Sequence, residues 1–160
     1  MFRIKLLILL LSSLLVLSCS NEQKSENIKL SVGYIGGEYD GLLLQNQLRS
    51  HLKSLDILDD KSKYQIQANI SHTKNMFITN IDNTSDREKI KSSLELKIYD
   101  DTGKCYPYTY SDNISQFYIL APSDNFKSNK TATRRIKFEN TEYFVKRFIN
   151  DLAREKLICE

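Results

Sequence analysis

Tyr64-Gln65-Ile66-Gln67-Ala68-Asn69-Ile70-Ser71-His72-Thr73 alternates without a break. Successive side chains of a strand point to opposite faces. Tyr64, Ile66, Ala68, Ile70 and His72 therefore share one face, and Gln65, Gln67, Asn69, Ser71 and Thr73 share the other. One face is apolar and the other consists of amides and hydroxyls. This is the pattern of a sheet with helices on one side only.

The flanking segments extend that reading. Upstream, Ile28, Leu30, Val32 and Tyr34 alternate with Lys29, Ser31 and Gly33, which predicts a first strand broken by Gly36-Gly37. Asp40 can then cap a helix with Leu44, Leu48, Leu52 and Leu55 on its apolar face, ending near Asp59-Asp60. Gln45, Gln47, Arg49, Lys53 and Ser54 form its polar face. A helical crossover between the first two strands allows them to lie parallel. Downstream, Lys74 to Ser85 either continues the strand or forms a hairpin tip. Ile90, Leu94, Leu96 and Ile98 point inward on a third strand, and Lys89, Lys91, Glu95 and Lys97 point outward. Asp100-Asp101-Thr102-Gly103 turns the chain back into an antiparallel fourth strand, from about Lys104 to Tyr110 or on to Phe117. Pro107 places that strand at an edge or a bulge. From about Ser128 to Leu157 the pattern is helical, with Ile136, Phe144, Phe148, Leu152 and Leu157 as core contacts and Glu139-Asn140-Thr141 as a bend or break. The order is β-α-β-β-β-α. The expected fold is an α+β two-layer sandwich: a mixed sheet of about four strands with two helices packed on one face.

The opening of the chain bears on location. Arg3 and Lys5 precede an apolar or Ser run from Leu6 to Leu17, and Val16-Leu17-Ser18-Cys19 closes it. The run has the length of a signal-peptide core and is short for a permanent membrane span. Val16 fits poorly in an ordinary small-x-small cleavage site. An aliphatic residue, a small one and then a thiol instead resemble the lipobox of a bacterial lipoprotein signal, in which the Cys19 Sγ takes a diacylglycerol. Residues 1–18 are read as the signal, 19–27 as lipidated cysteine and flexible tether, and 28–160 as a single domain. Ser20 follows the thiol where Asp would retain a Gram-negative lipoprotein at the inner membrane, so the resemblance implies the outer membrane. Loss of Arg3 and Lys5 leaves 21 basic against 20 acidic residues, a net +1 that gives no support to nucleic-acid binding. An oxidising compartment allows Cys105 and Cys159 to pair, and the sequence leaves open whether they meet.

Lipobox, tether, element order and a long final amphipathic helix together resemble the LPS-assembly lipoprotein family LptE. The local match is Asn46-Gln47-Leu48-Arg49 within Leu42 to Leu58, with the strands Tyr64–Thr73 and Arg87–Tyr99 and the helix Thr133–Leu157 in corresponding places. The resemblance implies a non-catalytic outer-membrane lipoprotein that supports assembly of the LptD-like β-barrel of the LPS translocon. Such a protein sits inside the barrel as a plug and helps deliver lipopolysaccharide. An accessory lipoprotein of another envelope complex, such as an ABC-type lipid transporter, is the alternative.

No G-x-S-x-G, phosphate loop or H-E-x-x-H occurs. His51 and His72, with no paired cysteine motif, fall short of a zinc ligand set, so neither metal nor cofactor is expected. Asp59-Asp60 and Asp100-Asp101 fall in turns, where Asp accepts local backbone hydrogen bonds. The polar feature with a task is the cluster Lys127, Lys130, Arg134, Arg135 and Lys137 at the start of the last helix. Arg and Lys recognise phosphate through charge-assisted hydrogen bonds, which makes these residues candidate LPS contacts; a solvated helix face is the other reading. The positive end of the helix does not favour cations, so an acidic partner would relieve the mismatch.

Overall fold

The computed structural model describes residues 28–78, 86–120 and 126–159. Its elements are β1 (Ser31–Gly36), α1 (Glu38–Ser54), β2 (Tyr64–Ile78), β3 (Asp86–Asp100), β4 (Cys105–Ile119) and α2 (Phe126–Leu152). The sheet order is β1-β2-β3-β4. β1 lies parallel to β2, as its helical crossover allows, and the other neighbours are antiparallel. Both helices cover the same face, giving the expected α+β arrangement.

β2 continues beyond Thr73 and pairs with β3 over its whole length, from Tyr64 opposite Asp100 to Ile78 opposite Asp86. Ile66, Ile70, Ile90, Leu94, Leu96 and Ile98 are buried beneath the helices. Leu44, Leu48 and Leu52 of α1, and Phe144, Val145 and Phe148 of α2, complete that core. The Phe148 ring stands 6.1 Å from Tyr108 and 5.9 Å from Tyr110, both on β4. The opposite face is open, and Asn69, Ser71, Lys91, Glu95 and Lys97 on it are exposed.

Several expectations are corrected. β1 pairs Val32 with Ile66 and Ile35 with Ala68, so two residues of β1 oppose one of β2. This bulge reverses the parity: Ile35 packs on the core and Tyr34 is 77% exposed. α1 stops at Ser54, five residues before Asp59, and Leu55 is exposed. The backbone N–H groups of Ile57 and Leu58 fold back onto the Leu52 carbonyl and close the helix. Gly37 takes the N-cap position at φ 110°, while Asp40 lies inside the first turn. Gln47 is buried against α2, where its Nε2–H donates to the Phe138 carbonyl at 3.4 Å. α2 runs unbroken through Glu139-Asn140-Thr141, and Leu157 follows the helix. Thr141 Oγ1–H donates to the Lys137 carbonyl at 2.7 Å, which satisfies its buried hydroxyl without leaving the helix.

β4 reaches Ile119 and forms an edge. Tyr106 and Pro107 together oppose Tyr99, so the proline sits at both an edge and a bulge. In the turn before β4, Asp100 Oδ1 accepts from Thr102 N at 2.9 Å, Thr102 Oγ1 at 2.6 Å and Gly103 N at 3.1 Å. The Thr102 hydroxyl bond leads the causes that hold the Asp100 carboxyl below its usual range. Beside this turn Cys105 is bonded to Cys159, with Cα atoms 6.1 Å apart. The bond ties the tail after α2 to the start of the edge strand, and Tyr64 OH donates to the Leu157 carbonyl at 3.3 Å.

Candidate functional site

A pocket of about 680 Å3 opens where the N-terminal half of α2 meets the first turn of α1 and the far ends of β2, β3 and β4. α2 contributes Lys130, Thr133, Arg134 and Lys137, spaced three and four apart as one helix face requires. α1 contributes Tyr39 and Asp40. The sheet contributes Lys74, Glu88 and Tyr118, with Leu120 just beyond β4.

Two of the four cations are committed within the wall. Lys137 Nζ lies 2.7 Å from Asp40 Oδ2, with their side chains 25% and 17% exposed. Lys74 Nζ lies 3.7 Å from Glu88 Oε1 and donates to Thr133 Oγ1 at 3.1 Å. Tyr118 OH donates to the Glu88 carboxylate, so the Thr133 hydroxyl, 3.0 Å away, donates to the phenolic oxygen. Burial first, and the Glu88 hydrogen bond second, raise the Tyr118 phenol above its ordinary value and keep it protonated.

Lys130 and Arg134 are exposed, and neither has an ion-pair partner among the described residues. They give the pocket a positive surplus. The first turn of α2 holds no acidic residue to offset that surplus. Tyr39, Tyr118 and Leu120 supply apolar surface beside the cations. The arrangement fits an anion carried on an apolar body.

The structure thus brings Lys130 and Arg134 of the expected cluster together, with Lys137 beside them. Arg135 turns out of the pocket: its side chain is 79% exposed and pairs with Glu139 at 2.7 Å, one helical turn on. The Lys127 side chain and Cys19 lie outside the described residues. Asp40, Lys74, Glu88 and Tyr118 were not foreseen as site residues. Lys74 and Glu88 share a face across β2 and β3 only once the strand register is known. Among the described residues no group of His, Cys, Asp or Glu is placed to hold a metal, and no helix is long and apolar enough to cross a membrane. His51 Nδ1 lies 3.1 Å from the Gln47 carbonyl, within its own helix.

Beneath the pocket a polar network crosses the core. Gln116 Nε2–H donates to Asn140 Oδ1 at 2.6 Å, and Asn140 Nδ2–H donates to Ser92 Oγ at 2.7 Å. His72 Nδ1 lies 2.6 Å from the same Ser92 oxygen. Ser92 is 0% exposed, which seals its hydroxyl from any substrate.

No protein-family model matches the chain, and no curated protein does. Solved structures do. Rare lipoprotein B from Shewanella oneidensis superposes with a TM-score of 0.60 at 14% identity, over 79% of this chain and 93% of that one. The fold resembles that of rare lipoprotein B. A minor lipoprotein from Acinetobacter baumannii gives 0.58 at 13% identity, over 79% and 92% of the two chains. A lipoprotein B from Nitrosomonas europaea gives 0.57 at 10% identity, over 79% and 82%. At such identities these likenesses, like that to rare lipoprotein B, establish a common fold.

Proposed function

We propose that the chain is a lipid-anchored envelope protein of the LptE type, held at the outer membrane through Cys19. In this reading it performs no catalysis. It supports assembly of an LptD-like β-barrel, sits inside that barrel as a plug and helps pass lipopolysaccharide to the outer leaflet. The observation that carries the reading is a lipobox-like opening on a chain whose fold is shared with solved lipoproteins, among them rare lipoprotein B. The pocket supports it further, because Lys130 and Arg134 offer charge-assisted hydrogen bonds to phosphate beside apolar wall.

Two measurements test the proposal. Purification from detergent-solubilised outer membrane should recover a large β-barrel protein with the chain. Recovery without one, or with an inner-membrane lipid transporter, would overturn the plug role. Binding of lipopolysaccharide to the soluble domain should weaken at least about tenfold when Lys130 and Arg134 both become Ala, since a bond to a charged group contributes about 1.5–3 kcal/mol. Arg135→Ala should bind as the native domain does. Equal loss in both variants would remove the pocket from the binding surface.

A further inference from the structure

His72 carries a buried Nε2 with no hydrogen-bond partner, and its chain through Ser92 reaches Asn140, one helical turn from the Lys137 that pairs with Asp40. Ser92 Oγ receives the Asn140 Nδ2–H and keeps a second lone pair, so toward His72 Nδ1 it can either donate or accept. In either tautomer of the neutral ring Nε2 is left without a partner. Two charges act on the ring: the Asp40 carboxylate from α1 favours its protonated form, and the Lys137 ammonium from α2 disfavours it. From β3 it meets the neutral Ser92. On its own strand, Lys74 is committed to Glu88 and Thr133.

We propose that His72 is a proton-operated latch on the pocket: when the ring is protonated, its Nε2–H claims the Asp40 carboxylate and releases the Lys137 ammonium to an anion bound there. The consequence for binding rests on reading the pocket as an anion site. One proton is taken from solvent. It fills whichever ring nitrogen was bare, so that Nδ1–H donates to Ser92 Oγ and the imidazolium carries a second N–H on Nε2. Burial holds the step on the acid side of the ordinary imidazole value, with Lys137 adding to that effect and Asp40 opposing it. Acid below the ordinary imidazole value therefore gives the pocket a third free cation beside Lys130 and Arg134.

The switch is read without any ligand by NMR of the folded domain between about pH 7.5 and 5. The Asp40 carboxyl carbon and the Lys137 Nζ should both shift with the midpoint of the His72 ring. In His72→Gln, whose amide can still meet Ser92, neither should shift there. If the His72 ring titrates while Asp40 and Lys137 stay still, the latch is overturned. The same holds if the ring stays neutral throughout the range.

Binding of dihexanoyl phosphatidylglycerol tests the consequence, because its phosphodiester keeps one charge over this range. Its affinity should rise about threefold to tenfold from pH 7.5 to 5 in the native domain and stay flat in His72→Gln. The same rise in both proteins would overturn the latch. Coupled NMR shifts with no lipid binding at either pH would support the latch and refute the anion-site reading.

Discussion

Gly37 turns the chain from β1 into α1 at φ 110°, and a Cβ there would lie 2.4 Å from the Ile70 carbonyl oxygen. Neither the backbone nor the space admits a side chain. Gly37→Ala should therefore lower the unfolding free energy by about 1–3 kcal/mol, measured by urea denaturation. Gly103 is required for a different reason, since a Cβ there would meet Cys159 Sγ at 2.8 Å. His72 makes stability depend on pH. Its pKa is lowered in the fold, chiefly by burial, so below the unfolded value near 6.5 the unfolded chain takes up the proton first. Stability should be full above about pH 6.5 and fall as the pH drops toward 5, with a smaller fall in His72→Gln, read from urea midpoints. The place of His72 on the apolar face was legible from its parity in β2. Its partners were not, because Ser92 and Asn140 meet it through strand register and helix docking.

Among the elements, the strands were the most legible, since period two survives wherever one face is buried. That rule failed at Tyr34, where a bulge over Gly33 and Tyr34 shifts the alternation, and the strand glycine is its one trace in the sequence. The helices were legible in their apolar spacing and less so at their ends. Leu55 continues the α1 pattern in sequence, yet the chain has already left the helix. The cysteines could be counted but not paired, because the fold alone sets the distance between the start of β4 and the tail. Their bond closes a loop across a sequence separation of 54 residues. Cys105→Ser with Cys159→Ser should lower stability by about 4 kcal/mol on loop-entropy grounds, and a reductant should do the same to the native chain. A midpoint unmoved by reduction would show that the tail is held by other contacts. Phe148 ties α2 to Tyr108 and Tyr110 of β4. Phe148→Ala should cost about 3–5 kcal/mol, measured by thermal or urea unfolding.

At the scale of the whole molecule, the fold class and element order followed from the alternating segments and the two helical ones. The pocket did not, because its wall is assembled from α1, α2 and three strands that sequence separates widely. Only its α2 side was visible, as a basic run whose members were indistinguishable until the helix was docked. The docked helix gives Lys130 and Arg134 to the pocket and Arg135 to solvent. The molecule also has two distinct poles. Ile28, the 101–104 turn and the Cys105–Cys159 bond lie at one, and the pocket lies at the other. From Tyr64 to Lys74 along β2 the separation is roughly 30 Å. If Cys19 is lipidated, the eight residues Ser20 to Asn27 span at most about 30 Å. In vesicles carrying the lipidated protein and a headgroup quencher, a fluorophore at Asp101 should be quenched more strongly than one at Lys130. Equal quenching would mean that the domain lies flat.

The separation of those two ends has a directional consequence. If a lipid on Cys19 moors the body by its foot, the cavity would ride at the crown, facing away from the leaflet that holds the mooring. Anionic cargo would then arrive from across the compartment and be met at arm's length, before it touches the bilayer to which the receiver is tied.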